Sequence, residues 1–354
     1  MIFRAAAKWV RGLFPLALVV LLLLFPQAGM DGVSQGLSCC VHQIIPALFP
    51  FFVVTSLVLN SPAAHFLGLG LLPVTKSLGL SGQDAPAALL LGWLGGFAAA
   101  ARCVSQLYQQ HRLPKRQAEF LLICAVGSSP AFIINTVGLL MLHNPAAGLL
   151  LTAALLLSNL FTALLCRPFF HFEEPISAPV LNEQTHSGGL VDAVHRAIDA
   201  TLTVCGFVVF FRFLGMLLGQ LLPHSSFTAF LLSAFLEVTS GCQAGAALPQ
   251  GALYACCAAL SIQSLSVLLQ VRALLCSELS IRPLLWARGL HLTLSLAFLK
   301  LLTFLFPLPA PVYSSLAPRV FARSHAPLDA AALLFLLCCV VLHRLEQAFA
   351  SKRQ

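Results

Sequence analysis

The stretch FLEVTSGCQAG (residues 235–245) places a glutamate, a threonine, a serine and a glutamine inside a strongly apolar chain. It interrupts the apolar run Phe227 to Leu248, and GWLGGF (92–97) interrupts the run Ala85 to Tyr108 in the same way. Backbone that bends at membrane depth leaves amide and carbonyl groups unpaired, which is tolerated only beside protein or a wet cavity. The two stretches therefore predict re-entrant hairpins that point into an embedded site.

The composition around these stretches excludes a water-soluble fold. The 354 residues are 59% hydrophobic and only 9% charged, with a mean hydropathy of +0.91, whereas soluble domains carry about 25% charged residues. The net charge of +8 comes from basic residues scattered between apolar segments. Scattered positive charge is typical of membrane orientation signals, so the predicted surroundings are a lipid bilayer and nucleic acid is not a predicted partner.

The fold class predicted is an all-α polytopic membrane protein with about eight transmembrane helices plus the two hairpins. A crossing helix needs roughly 20 apolar residues. On that basis full spans are predicted at about 12–28, 40–60, 117–142, 146–166, 197–222, 250–276, 284–306 and 328–346. The first span, which follows Arg4, Lys8 and Arg11, imitates a signal peptide, and an uncleaved helix is favoured. Residues 61–84 are broken by glycines and prolines and are predicted to lie along the interface.

The distribution of positive charge predicts that both termini are cytoplasmic. With the N-terminus inside, the basic residues between spans and at span ends, Arg288 among them, fall on the inner side, and only Arg319 and Arg323 fall outside. Arg102, Arg212 and Lys300 lie within or near apolar segments and do not report on orientation. Arg212 and Lys300 are each predicted to reach an interface by snorkelling.

The order of segments predicts two inverted repeats, an arrangement that suits alternating-access transporters. A proline-rich and glutamate-rich linker divides the chain near its middle, and each half carries a Phe-Phe helix, a broken hairpin and a polar-broken span. The predicted divisions are an N-terminal transmembrane helix (1–36), a first repeat (37–166), a linker on the cytoplasmic side (167–196), a second repeat (197–306) and a C-terminal loop, helix and basic tail (307–354).

The polar and glycine-rich positions of the four interrupted segments form the candidate substrate site. In the first half they are Gly95, Gly96, Arg102, Ser128, Ser129 and Asn135. In the second half they are Glu237, Thr239, Ser240, Gly241, Gln243, Ser261, Gln263, Ser264, Ser266 and Gln270. Three of them, Gln263, Ser266 and Gln270, would form one stripe along an unbroken helix. The alternative is that these side chains only bond neighbouring helices or their own backbone.

Two charged residues require a specific explanation, because an ionisable group at the bilayer centre costs about 2.5–3.5 kcal/mol even on the lenient scale. Arg102 needs a partner or an anionic substrate. Glu237 is either a proton or cation site or the buried ion-pair partner of Arg102. Coupling to protons or sodium and the oligomeric state are left open.

No cofactor, metal site or catalytic residue is predicted. The twelve cysteines lie mostly in or beside apolar runs without metal-ligand spacing, and are read as small packing residues. No nucleotide-binding, zinc-protease or serine-hydrolase motif occurs. The chain is therefore expected not to be an enzyme.

The order of five stretches resembles the sporulation integral membrane protein family typified by YlbJ, also called SpoVV, among the nucleoside-recognition or Gate-domain membrane proteins. The stretches are IPALFPFFVVTSLVL (45–59), GWLGGFAAAARCV (92–104), GSSPAFIINTVG (127–138), FLEVTSGCQAG (235–245) and SIQSLSVLLQV (261–271). The resemblance implies a carrier in the bacterial membrane, specifically the outer forespore membrane, that moves dipicolinate during sporulation.

The function expected is alternating-access transport of a small anionic or polar metabolite, with dipicolinate as the first-choice substrate. Arg102 and half-helix N-termini would suit a small dianion. The serine and glutamine side chains would instead suit a nucleoside-like solute. A non-transporting membrane scaffold of a sporulation complex is the alternative from a different functional class.

Overall fold

The computed structural model describes residues 2–59, 61, 66–80, 84–172, 189–222 and 225–308. Those residues form helices and connecting segments and contain no strand. The α-helices are, in chain order, α1 Ile2–Leu24, α2 Pro26–Cys39, α3 Ile45–Leu59, α4 Leu72–Ser77, α5 Ala85–Gln109, α6 Lys115–Ala125, α7 Pro145–Cys166, α8 Leu190–Gly219, α9 Ser226–Leu236, α10 Val238–Ala246, α11 Ala252–Ile262, α12 Leu265–Leu274 and α13 Arg282–Leu305. Two π-helices, Cys40–Ile44 and Phe132–Met141, and two short 3-10 turns, Leu69–Leu71 and Arg167–Phe169, complete the set.

The all-helical membrane architecture predicted from the sequence is confirmed, but the count of eight spans is not. Among the described residues, five helical segments are long and apolar enough to cross a membrane, or six if the pair Leu13–Leu24 and Pro26–Ile44, bent by 102°, is one span. The apolar helix predicted at 40–60 is shorter than a full span, and the one predicted at 117–142 is divided between α6 and the second π-helix. The span predicted at 328–346 and most of the linker lie outside the described residues.

Helix α5 doubles back on itself at Gly96, which has φ +82° and ψ −171°. A Cβ atom added at Gly92 would lie 2.9 Å from Cβ of Ala100. Eight residues of straight helix would separate these positions by about 12 Å. Although α5 is long enough to cross a membrane, it is therefore a hairpin of two short arms, and the predicted reversal is confirmed.

The second hairpin reverses at Glu237, between α9 and α10. A Cβ atom added at Gly241 would lie 2.5 Å from Cα of Ala234. The two arms thus touch backbone to backbone, and glycine is required on the inner side of the turn. This reversal was also predicted from the sequence.

Residues 29–39, which lie between the first two predicted spans (12–28 and 40–60), are helical in the structure. They belong to α2, which packs lengthwise on α8. Gly32 and Gly36 face that helix so closely that an added Cβ would lie 2.7 Å from Cα of Phe213 and 2.8 Å from Cα of Val209. Packing against α8 favours helix in this stretch although glycine has a low helix propensity.

The interior is built around the first hairpin. The alanine run Ala98 to Ala101 in α5 is completely buried, and α5 packs against α3, α6 and α12. On the outside, large apolar side chains are exposed, including Trp286 at 86% and Phe304 at 81% of their surface. A small-residue interior with an apolar exterior is the arrangement expected of helices packed in lipid.

Candidate functional site

Four interruptions of the helical backbone define the candidate site. The first is the tip of the first hairpin at Gly96, and the third is the tip of the second hairpin at Glu237. The second is the non-helical segment 126–129 between α6 and the helical turn that leads into the second π-helix. The fourth is the pair Gln263 and Ser264 between α11 and α12, where Gln263 adopts φ +57°.

The second break exposes carbonyl groups at the end of α6, and buried side chains satisfy them. The carbonyl oxygen of Val126 accepts from Arg288 Nη2 at 3.1 Å and from Gln263 Nε2 at 3.1 Å. Arg288 Nη2 is also 3.4 Å from the oxygen of Ile123, and Trp93 Nε1 donates to Cys124 at 2.7 Å. Donors from both halves of the chain therefore satisfy the carbonyl groups that the break leaves without helical partners, as buried backbone groups require.

The tip of the first hairpin rests against the second break. A Cβ atom at Gly96 would lie 3.1 Å from the backbone nitrogen of Ser129 and 3.5 Å from the oxygen of Gly127. Ser129 accepts a hydrogen bond at Oγ from the backbone nitrogen of Phe132 at 3.3 Å, near the start of the π-helix. The contact requires glycine at position 96 for space as well as for backbone conformation.

The tip of the second hairpin is organised by Glu237, whose side chain is 3% exposed. Its Oε1 accepts from the backbone nitrogen of Thr239 at 2.7 Å, and its Oε2 accepts from the nitrogen and Oγ of Ser240, both at 2.8 Å. Arg212 on α8 lies 3.5 Å from Oε2 through its Nε. The carboxylate therefore caps the N-terminus of α10 and is neutralised by an arginine from another helix.

The four breaks surround one cavity of about 120 Å³. Three breaks supply lining residues themselves, and the fourth supplies Val267 and Gln270 from α12, the helix that follows it. The lining residues are Cys39, Gln43, Ile44, Leu48, Gly95, Gly96, Phe97, Ala98, Ser128, Ser129, Phe132, Val204, Val208, Glu237, Val238, Thr239, Val267 and Gln270. Polar groups thus converge on a mostly apolar space, which is typical of small-molecule sites.

Gln270 gives the cavity a buried amide. Its Nε2 donates to Oγ of Ser266 at 2.8 Å, while its Oε1 is buried without a hydrogen-bond partner. The residue is 1% exposed and lines the cavity. A buried polar atom without a partner is costly, so a ligand group that satisfies it would gain affinity.

The structure sorts the sixteen predicted site residues into three groups. Those lining the cavity are Gly95, Gly96, Ser128, Ser129, Glu237, Thr239 and Gln270. Those supporting the breaks or helices around it are Ser240, Gly241, Ser261, Gln263, Ser264 and Ser266. Those outside the lining are Arg102, Asn135 and Gln243, the last two of them exposed.

Two predicted arrangements are corrected. Arg102 donates to the carbonyl oxygen of Arg196 and lies 5.5 Å from the ring centroid of Phe52, so the ion-pair partner of Glu237 is Arg212 instead. The predicted stripe of three residues is also divided, because a new helix begins after Gln263 and Ser264. Only Ser266 and Gln270 share a face.

Two arginines of the site were missed by the sequence interpretation. Arg212 was expected to snorkel, and Arg288 was counted among the orientation signals at a span end. The structure buries both: the Arg212 side chain is 11% exposed, and Arg288 is 6% exposed. The available signal was an ionisable residue within an apolar segment, the same signal that singled out Glu237.

A second polar group lies next to Arg288, between α11 and α13. Ser261 Oγ is 2.5 Å from Nδ1 of His291 and 3.0 Å from Oγ of Ser295. All three residues are fully or almost fully buried. They connect the two helices and do not line the cavity.

Comparison with known proteins gives one relative and no structural match. The chain is 26% identical over 226 residues to the sporulation integral membrane protein YlbJ of Bacillus subtilis (strain 168). The match covers 58% of this chain and 55% of that relative, so it spans about half the length of the relative. No family model matches the chain, and no solved structure matches it. The chain therefore resembles YlbJ, and it is an integral membrane protein.

Proposed function

We propose that this integral membrane protein transports a small anionic or polar metabolite by alternating access. The observation that carries the proposal is the convergence of four helix breaks on one cavity of about 120 Å³. Broken helices at membrane depth are stable only where protein or a polar cavity satisfies their backbone, and transporters place their substrate sites at such breaks. In this proposal the chain performs no covalent chemistry.

The polar groups in the cavity suggest how a solute would be held. Ser128 and Ser129 precede the π-helix Phe132–Met141, and the positive end of the helix dipole there favours an acceptor group of the solute. The free Oε1 of Gln270 would take a donor group. A solute with both kinds of group would satisfy both sets of lining residues.

Cavity size and the resemblance together select the first-choice substrate. About 120 Å³ is small beside the roughly 300–1,000 Å³ of pockets that hold drug-sized ligands. Dipicolinate, a single aromatic ring with two carboxylates, is more compact than a nucleoside. Its transport in sporulation is what the resemblance to the YlbJ family implies, and the outer forespore membrane is the location proposed with it.

A nucleoside-like solute is the second candidate, favoured by one observation. Apart from Glu237, which Arg212 neutralises, the polar lining is uncharged: Gln43, Ser128, Ser129, Thr239 and Gln270. Such a lining would accept a neutral polar molecule without a charge to balance. Proton or sodium coupling is compatible with either substrate.

Uptake by proteoliposomes containing the purified protein tests the proposal. Labelled dipicolinate and a labelled nucleoside are compared in wild type, in Gln270→Leu and in Gln243→Leu, whose exposed amide is the matched control. We expect wild-type dipicolinate uptake, an increase of about ten-fold in the half-saturating concentration for Gln270→Leu, and little change for the control. Nucleoside uptake alone would favour the second candidate. No flux of either solute, in protein that reconstitutes normally, would contradict the proposal.

A further inference from the structure

Arg288 stands out as a buried cation without a balancing charge. It lies within α13, is 6% exposed, and uses Nη2 to contact the carbonyl oxygens of Ile123 and Val126. Its Nε and Nη1 are buried and have no hydrogen-bond partner. A buried charge is normally paired, so the absence of an ion pair requires an explanation.

The charged residue that lines the cavity, Glu237, is balanced by Arg212. Within the described residues, the ion pairs are Arg112 with Asp84 and Arg212 with Glu237. The Glu237 carboxylate that lines the cavity is therefore matched, whereas Arg288 has only carbonyl dipoles, which carry no net charge. The lining is thus neutral once Glu237 pairs with Arg212, and Arg288, which holds the Val126 carbonyl, adds an unpaired positive charge.

The position of Arg288 directs that charge toward the solute. Val126, which it holds, is followed by Gly127 and then by Ser128 and Ser129, which line the cavity. His291 lies one helical turn further along α13 and contacts Ser261; an imidazole carries no negative charge, so it does not balance Arg288. In a poorly polarisable interior a unit charge acts on a second charge beyond direct contact, so Arg288 can influence a solute although it does not line the cavity.

We infer that Arg288 is a specificity-determining residue, which makes the cavity select anionic over neutral solutes. The inference rests on the proposed function and assigns its charge selectivity to this residue instead of Arg102. Arg288 holds the serine-bearing break in place and supplies the counter-charge of the bound anion. Arg288 does not line the cavity, and its Nε and Nη1 are buried, so its charge acts on the solute through space and not through a direct hydrogen bond.

The test compares two probes of nearly equal shape, dipicolinate and its neutral diamide, in four forms of the full-length protein. These are wild type, Arg288→Gln, which keeps a donor without charge, Arg288→Lys, which keeps the charge, and Arg102→Gln as the charge-loss control. Binding is measured by ligand-induced thermal stabilisation in detergent, and flux is measured in proteoliposomes. Monodispersity on gel filtration confirms that each variant is folded.

We expect wild type, Arg288→Lys and Arg102→Gln to prefer the dianion by about ten-fold or more, and Arg288→Gln to lose that preference. Charge-dependent binding that follows Arg288 without flux would support this inference and contradict the transporter. Flux whose dianion preference survives in Arg288→Gln, or a wild type that binds the diamide as tightly as the dianion, would overturn the inference. If Arg288→Gln does not fold, loss of the preference in Arg288→Lys would overturn it as well.

Discussion

Gln263 donates from Nε2 to the carbonyl oxygen of Val126 at 3.1 Å, joining a break in the second half of the chain to a break in the first half. The two residues are 137 positions apart, and both are almost fully buried. Because Arg288 binds the same oxygen, one backbone carbonyl receives two donors from different segments. Relative motion of the two halves at this point has to lengthen or exchange that bond.

Replacing Gln263 by leucine should loosen this junction. A net contribution of about 1 kcal/mol is expected for the lost hydrogen bond, partly retained because Arg288 still holds Val126. We expect a lower melting temperature in detergent than for Gln243→Leu, an exposed site on the second hairpin. Equal melting temperatures for the two variants would show that the junction does not stabilise the fold.

A double-mutant cycle should show strong coupling between Glu237 and Arg212. Removing either partner leaves the other charge buried, which typically costs about 3–5 kcal/mol, whereas removing both restores neutrality. The measurement is the unfolding midpoint of Glu237→Gln, Arg212→Gln and the double variant. The pair Glu237→Gln with Arg102→Gln is the control and should be additive, because Arg102 contacts the carbonyl of Arg196 and Phe52. Coupling in the control pair instead would contradict the observed ion pair.

Gly96→Ala should destabilise the tip of the first hairpin. Its φ of +82° and ψ of −171° are accessible essentially only to glycine, and a side chain there costs about 1–3 kcal/mol. The added methyl group would also press on the backbone nitrogen of Ser129, 3.1 Å away. We expect reduced thermal stability and reduced uptake, while Gly70→Ala, with no neighbour within 4 Å, should leave both unchanged.

The loop 275–281 should hold the two halves of the chain together, because its residues form hydrogen bonds with α5 and α6 of the first half. Glu278 accepts from the hydroxyl of Tyr108 at 2.5 Å, the nitrogen of Cys276 donates to Ser105 at 2.9 Å, and the nitrogen of Ser280 donates to Glu119 at 3.0 Å. Tyr108→Phe removes one of these bonds, worth about 1 kcal/mol, so the loop should open roughly five-fold more often.

The half-buried thiol of Cys276 reports that opening directly. Maleimide labelling of Cys276, located by peptide mass spectrometry, should be about five-fold faster in Tyr108→Phe than in wild type. Tyr254→Phe is a suitable control, since that hydroxyl contacts Thr303 away from the loop. An unchanged labelling rate in Tyr108→Phe would show that the tyrosine does not hold the loop in place.

Three of the four breaks could be placed from sequence because their residues carry local signals, whereas the break at Gln263 and Ser264 was predicted as continuous helix. Glycines at the first tip, Gly127 to Pro130 in the second break and the polar run after Glu237 all punctuate apolar segments. Local signals fix where a chain bends, since bending depends on backbone freedom and on nearby side chains that cap helix ends. That is why most of the cavity lining from the hairpins was identified.

The partners of the charged residues could not be predicted in the same way. Glu237 lies within reach of Arg212 only because α8 packs beside the second hairpin, and Arg288 reaches Val126 from 162 residues away. Which of several arginines meets a carboxylate is decided by helix packing, which one sequence without its three-dimensional neighbours does not specify. The same limit explains α2, whose glycines are informative only once α8 is in place.

The close seam between α2 and α8 has a practical consequence for the size of the cavity. Gly36 touches the backbone of Val209, and one turn beyond it the same helical segment supplies Cys39 and Gln43 to the cavity lining. A single methyl group at position 36 would push α2 away from α8 and so displace Cys39 and Gln43, without replacing any residue that faces the solute. Substituting Gly36 by alanine and then by larger residues should therefore change the volume of the cavity in steps while the residues that line it stay the same.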